Sequence, residues 1–199
     1  MTGEQRPTMD TTGDALRRDD TQTLGMWLFI ASLSVLFIAS MVGYLVVRLR
    51  APEWPPAGMP ALPRGLYFST FVLIASSMTM HFALHSVRRG RAQLLRMGLA
   101  ATFVLGAVFL ISQVSAWSVL LAADVYAQAN LYAFTFYMLT GLHALHVIGG
   151  LIPLGVIMRA AWRGAYSPLA HQPVKNTAMY WHFLDIVWLV MFVLLITAG

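Results

Sequence analysis

Five long apolar runs dominate the chain, at residues 24–47, 66–87, 97–121, 131–158 and 177–198, separated by short polar or proline-rich stretches. A helix needs about 20 mostly apolar residues to cross the hydrocarbon of a bilayer, and each run supplies that length with almost no charge inside it. The pattern predicts an all-α integral membrane bundle of five transmembrane helices. The fourth run holds Pro153, which removes a helical hydrogen bond, frees the Gly149 carbonyl for a partner and predicts a tilt or kink.

The stretches between the runs complete the picture. Residues 1–23 are polar and carry Glu4, Asp10, Asp14, Asp19 and Asp20, so they are expected to form a disordered tail ahead of one membrane domain at 24–199. No short apolar segment with a small-residue cleavage site precedes the first run, which argues against a signal peptide. The first loop sets Pro52, Pro55, Pro56, Pro60 and Pro63 around Trp54 and is expected to be a stiff connector, with Trp54 at the membrane interface.

Composition agrees with this reading. Of 199 residues, 58% are hydrophobic and 11% charged, against roughly a quarter charged in soluble domains. The formal charge of +5 is placed unevenly, which makes it an orientation signal rather than a nucleic-acid footprint. Arg6, Arg17, Arg18, Arg88, Arg89, Arg91, Arg96, Arg159, Arg163 and Lys175 fall on one side of the predicted bundle, and Arg48, Arg50 and Arg64 on the other. By the positive-inside rule the N-terminus is cytoplasmic and the C-terminus outside. The chain has no cysteine, which excludes disulfides, thiolate zinc sites, iron–sulfur clusters and thioether-linked haem.

Ionisable groups inside a bilayer are costly and each needs a reason. Asp185 is the only carboxylate within a predicted span, and its three-residue spacing from His182 puts both on one helical face. Polar pairing between helices is the simpler role for them, and a proton relay the alternative. His81 with His85, and His143 with His146, are helical pairs that can ligate metal or haem. At 1.5 Å per residue, His81 lies about 10 Å in from Arg88 and His182 about 8 Å in from the start of its helix, so these two match in depth. Gly98, Thr102 and Gly106, like Ala39 and Gly43, mark small-residue faces on which helices approach closely. Gln113 and Ser112 are candidates for hydrogen bonds across the bundle. Trp27, Tyr44, Tyr67, Trp117, Tyr132 and Tyr180 are read as interfacial anchors. Arg88, Arg89 and Arg91 are read as a topology determinant that can also hold lipid phosphates. No nucleophile with a base, phosphate-binding glycine loop or metal cage is visible.

Read as strings, these residues resemble a known family. Tyr180-Trp181-His182-Phe183-Leu184-Asp185-Ile186-Val187-Trp188 resembles the YWHFVDVVW signature of subunit III of the haem-copper cytochrome c and quinol oxidases. Phe136-Tyr137-Met138-Leu139-Thr140-Gly141-Leu142-His143-Ala144-Leu145-His146-Val147-Ile148-Gly149-Gly150 resembles its FYxLTGxHxxHVxxG segment, and Leu24-Gly25-Met26-Trp27-Leu28-Phe29-Ile30-Ala31-Ser32 its opening helix. Ser76-Ser77-Met78-Thr79, Arg88-Arg89-Gly90 and Phe109-Leu110-Ile111-Ser112-Gln113 fall in the same order. The resemblance implies a five-helix form of an accessory subunit in aerobic respiration, a multi-pass protein of the bacterial cytoplasmic membrane. It implies subunits I and II as partners, with haem and copper in subunit I and no catalytic centre, cofactor or metal in this chain. Bound phospholipid, support of subunit I stability and support of proton uptake are implied with it. Under it Arg88, His143, His146, His182 and Asp185 are structural or lipid-associated.

Three positions depart from the family pattern: Leu33, Ala116 and Lys175 stand where glutamate is usual. A subunit-III-like accessory protein of nitric oxide reductase is one alternative. A membrane cytochrome b that passes electrons to quinone through its histidines is another, of a different class.

Overall fold

The structure, a computed structural model, describes residues 10–56, 58, 59, 63 and 65–198, with side chains from 21 to 197. Its described residues form five helices, α1 (Asp10–Arg50), α2 (Gly65–Arg88), α3 (Ala92–Ala122), α4 (Leu131–Trp162) and α5 (Gln172–Ala198), and no strand. All five are long and apolar enough to cross a membrane. The expected all-α bundle of five transmembrane helices is what the chain forms.

One boundary moves substantially. Helix α1 is described from Asp10, so it takes in residues 10–23 of the polar stretch ahead of the first apolar run. The segment holds the helix formers Ala15, Leu16, Arg17 and Arg18 with no proline to stop it, and charge alone does not break a helix that is already nucleated by the membrane span. Glu4 and Arg6 of the tail, and Pro60 and Arg64 of the first loop, lie outside the described residues.

Three helices end in the same way. After α2, Gly90 takes φ +70°, and the Gly90 and Arg91 amides donate to the Val87 and Ser86 carbonyls, each at 3.0 Å. Gly164 (φ +77°) repeats the arrangement after α4, with the Ala165 amide donating to Ala160 at 3.1 Å. Asp124 does so after α3 at φ +57°, a conformation that glycine adopts at no steric cost. The start of α4 is fixed by Asn130, whose side-chain oxygen accepts from the Ala133 amide at 2.8 Å. Arg96 supports its other end by donating from Nε to the Ala161 carbonyl at 3.1 Å, with its guanidinium over the Trp162 ring.

Helices α2, α3, α4 and α5 close a ring in chain order, and α1 lies outside it against α4 and α5. Without a hydrophobic force between helices in lipid, close backbone approach and interhelical hydrogen bonds hold such a ring together. Gly98 provides the closest approach: a Cβ there would stand 2.8 Å from the Ala83 Cβ and 3.0 Å from its Cα. Gly106 makes room for Trp181 and Gly150 for Tyr180 in the same manner. The α1 seam is different. Ile30, Phe37 and Tyr44 recur every seven residues and are buried, with Met26, Leu33 and Met41 partly buried between them. Ala39 and Gly43, expected to form a packing face, point away from the bundle, and nothing stands within 4 Å of a Cβ built on Gly43. The large residues of α1, not the small ones, decide which face turns inward.

Helix α4 runs continuously through Pro153. Several residues expected at the interface are instead core: Tyr44, Tyr132 and Tyr180 are all buried. Trp54 of the first loop sits between Tyr44 and Tyr132, ring centroids 5.6 and 5.0 Å away, and closes that end of the α1–α4 contact. Trp27 and Tyr67 do remain exposed.

Candidate functional site

The polar residues of α5 sort onto two faces. Trp181, His182, Asp185 and Trp188, at intervals of one, three and three, turn toward α2. There the Trp181 indole N–H donates to Ser76 Oγ at 2.8 Å and the Trp188 indole N–H to Thr70 Oγ1 at 2.9 Å. His182 Nδ1 is 2.8 Å from Ser77 Oγ and 3.7 Å from Asp185 Oδ2. On the other face, the Tyr180 hydroxyl donates to the His146 carbonyl at 3.0 Å, and Phe183 meets Phe37 of α1. The same ladder continues through Thr79 with Thr102 at 2.8 Å, Gln113 Nε2 donating to Ser69 Oγ at 2.8 Å, and Trp117 donating to Thr140 at 3.1 Å.

The five candidate residues therefore do not form one site. His182 and Asp185 stand together, as their spacing suggested. Asp185 is buried, and neither carboxylate oxygen has a hydrogen-bond partner among the described residues. His143 is completely buried in a cage of Phe109, Trp188 and Phe37, with ring centroids at 5.6, 5.0 and 6.3 Å. His146, one turn on, faces a groove of about 380 Å³ among α1, α4 and α5, whose walls include Met26, Phe29, Leu145 and Tyr180. Its Nδ1 lies 2.8 Å from the Leu142 carbonyl, which can only accept, so Nδ1 carries the proton and Nε2 is left as the acceptor. Arg88 is exposed at the end of α2, away from all four.

A second groove, of about 430 Å³, opens between α2 and α5 and is lined by Ser77, His81, His85 and His182, with Met78 and Phe82 as apolar walls. The depth match of His81 and His182 is thus real, with ring centroids 6.3 Å apart. The Ser77–His182 hydrogen bond ties α2 to α5 one turn from His81. Among the described residues no three His, Asp or Glu side chains are placed to share a metal ion.

The hydroxyl roles on α2 were not legible in the sequence: Ser76 and Ser77 stand out only within the Ser76-Ser77-Met78-Thr79 string, while Ser69 and Thr70 look like ordinary small residues in an apolar run on the same helical side. Of the two residues expected to bond across the bundle, Gln113 does so, while Ser112 returns its hydroxyl to its own helix at the Phe109 carbonyl, 2.7 Å away.

A family model described as Cytochrome c oxidase subunit III matches residues 14–199. A cytochrome c oxidase subunit 3 of Synechocystis is 36% identical over 177 residues, covering 88% of this chain and 75% of the relative. One of Thermostichus vulcanus is 33% identical over 195 residues, covering 94% and 96%. A probable cytochrome c oxidase subunit 3 of Mycobacterium tuberculosis is 30% identical over 182 residues, covering 89% and 88%.

Proposed function

The chain belongs to the cytochrome c oxidase subunit III family, and on that premise we propose that it stands beside subunits I and II of a haem-copper oxidase in the cytoplasmic membrane of a bacterium. It is an accessory, multi-pass membrane subunit of that complex, and the family match over residues 14–199 is the observation that carries the reading. The matched relatives are subunits of cytochrome c oxidase, so neither a nitric oxide reductase protein nor a cytochrome b is favoured. Haem and copper belong to subunit I. Among the described residues no three His, Asp or Glu side chains are placed to share a metal ion, and His143 is sealed among aromatic rings.

The N-terminus is cytoplasmic and the C-terminus outside in this reading, because Arg88, Arg89, Arg91, Arg159 and Arg163 end helices on the same side as the tail. The α1/α4/α5 groove suits a phospholipid: its walls accept an acyl chain, and His146 supplies one polar contact. Exposed Arg88 and Arg89 suit a lipid phosphate at the cytoplasmic surface. His143, His182 and Asp185 then have structural places within the bundle. The subunit supports the stability of subunit I and its proton uptake rather than electron transfer.

Oxidase purified with and without this chain tests the proposal. Without it, the enzyme is expected to keep its initial turnover and the spectrum of its haems, yet to inactivate sooner during sustained turnover. Loss of the initial rate would give the chain a direct catalytic part, and an unchanged lifetime would remove the supporting one.

A further inference from the structure

We propose that the groove between α2 and α5 is a water-accessible path through which the buried Asp185–His182 pair exchanges protons with the membrane surface that carries Arg88 and Arg89. The inference rests on the fold of this chain alone and does not depend on the partner subunits.

Three observations meet at this place. The first is the carboxylate itself. Asp185 is the one acid in the described spans from Gly65 to Thr197, its side chain is 8% exposed, and among the described residues neither oxygen has a hydrogen-bond partner at normal distance, with His182 and Ser77 the polar side chains beside it. An isolated carboxylate at such a position costs several kcal/mol, so the group needs either a proton or a cationic neighbour. The second is His182, whose Nδ1 is 3.7 Å from Asp185 Oδ2 while its side chain is 32% exposed. The imidazole thus touches the buried acid with one end and the groove with the other. The third is the stripe Ser77, His81 and His85 on α2, spaced four residues apart and lining the same groove. It runs from the Asp185 level toward Arg88 and Arg89, and His81 stands between His85 and His182.

The chemistry balances without any further reagent. The pair holds one proton in its two electroneutral forms, carboxylic acid beside neutral imidazole or carboxylate beside imidazolium. When the pair has lost its proton, one delivered by water in the groove to Nε2 of His182 is matched by release of the Nδ1 proton to Ser77 Oγ, 2.8 Å away, whose own hydroxyl proton passes to Asp185 beside it, and the reverse steps return it. A groove of about 430 Å³ holds on the order of ten waters at about 30 Å³ each. His81 and His85 can each accept and release a proton along the way.

The other charged or titratable groups on the packed helices are few. Helix α1 has no acid or base from Thr21 to Gly43, and α3 brings only Arg96, which is bound to the end of α4. Helix α4 brings His143 and His146, which face the aromatic cage and the other groove, and Arg159 in its last turn; α5 brings Tyr180, which is bonded to His146, and the half-buried Lys175, two turns before His182 toward the same surface.

Infrared difference spectroscopy of the full chain in lipid nanodiscs tests this. The expected result is a protonated-carboxyl band that titrates with pH, is lost in Asp185→Asn, is displaced in Asp185→Glu, and moves on transfer to heavy water. In His81→Phe/His85→Phe that exchange should slow by at least about tenfold, since each removed imidazole is a lost acid–base group. A band that does not exchange would overturn the proposal, as would an exchange rate unchanged in the double variant. The absence of any band that differs between the wild type and both Asp185 variants would overturn it equally.

Discussion

Replacing Gly98 with valine is expected to part α2 from α3 and to cost about 3 kcal/mol of stability or more, at the upper end of what overpacking does in a closed core. A Cβ at this position already stands 2.8 Å from the Ala83 Cβ and 3.0 Å from the Ala83 Cα, and the backbone atom cannot swing aside. The helices would have to separate. With them would go the hydrogen bond between Thr79 and Thr102, one turn along the same contact, and the Gln113–Ser69 bond beyond it. Gly43→Val is the control, because that position meets nothing within 4 Å. Unfolding in mixed detergent measures both. Equal stability of the two variants would mean that the α2–α3 approach is not what holds the ring.

Phe37→Ala is expected to free α1 from the bundle, with a loss of about 3 kcal/mol from the cavity it leaves. Among the described residues the helices that α1 touches are α4 and α5, through a seam whose large buried members are Ile30, Phe37 and Tyr44. Phe37 is the central one, against His146 at 5.0 Å and Phe183 at 6.3 Å between ring centroids. Ile38→Ala, one residue on and 60% exposed, removes a comparable side chain from the lipid face and should leave the seam intact. Limited proteolysis after Arg50, together with detergent unfolding, would register the detachment. Equal resistance of the two variants would place the anchor of α1 elsewhere.

The spans were legible because a bilayer imposes a length and an apolar composition that few other structures need. Their ends were less so. The chain gives the apolar limit of a helix, whereas α2 and α4 run on to Arg88 and Trp162 until Gly90 and Gly164 turn them, and α1 begins well before its apolar part. Small residues announced close approach without saying on which face: Gly98 and Gly106 do meet neighbours, but Gly43 meets none. Helical spacing correctly joined His182 to Asp185 and put His81 with His85 on one groove. It could not foresee that His143 would enter the core while His146 faced a groove, since that depends on where α1 and α5 lie around α4. The tyrosines misled for a related reason. An aromatic near a helix end can anchor at the interface or fill the gap where helices splay, and Tyr44 and Tyr132 fill it around Trp54. Leu33, in place of the glutamate usual in the family pattern, belongs to the α1 seam and packs partly buried against the core, so here that position serves helix docking.

Metal and haem analysis of what this chain carries out of a native membrane tests its role most directly. Affinity-purified in mild detergent, it should bring with it a larger subunit that contains all of the haem and copper. Stripped of that partner, it should give a flat reduced-minus-oxidised spectrum. A haem band that stays with the isolated chain, or a purification that yields no haem–copper partner, would contradict the account.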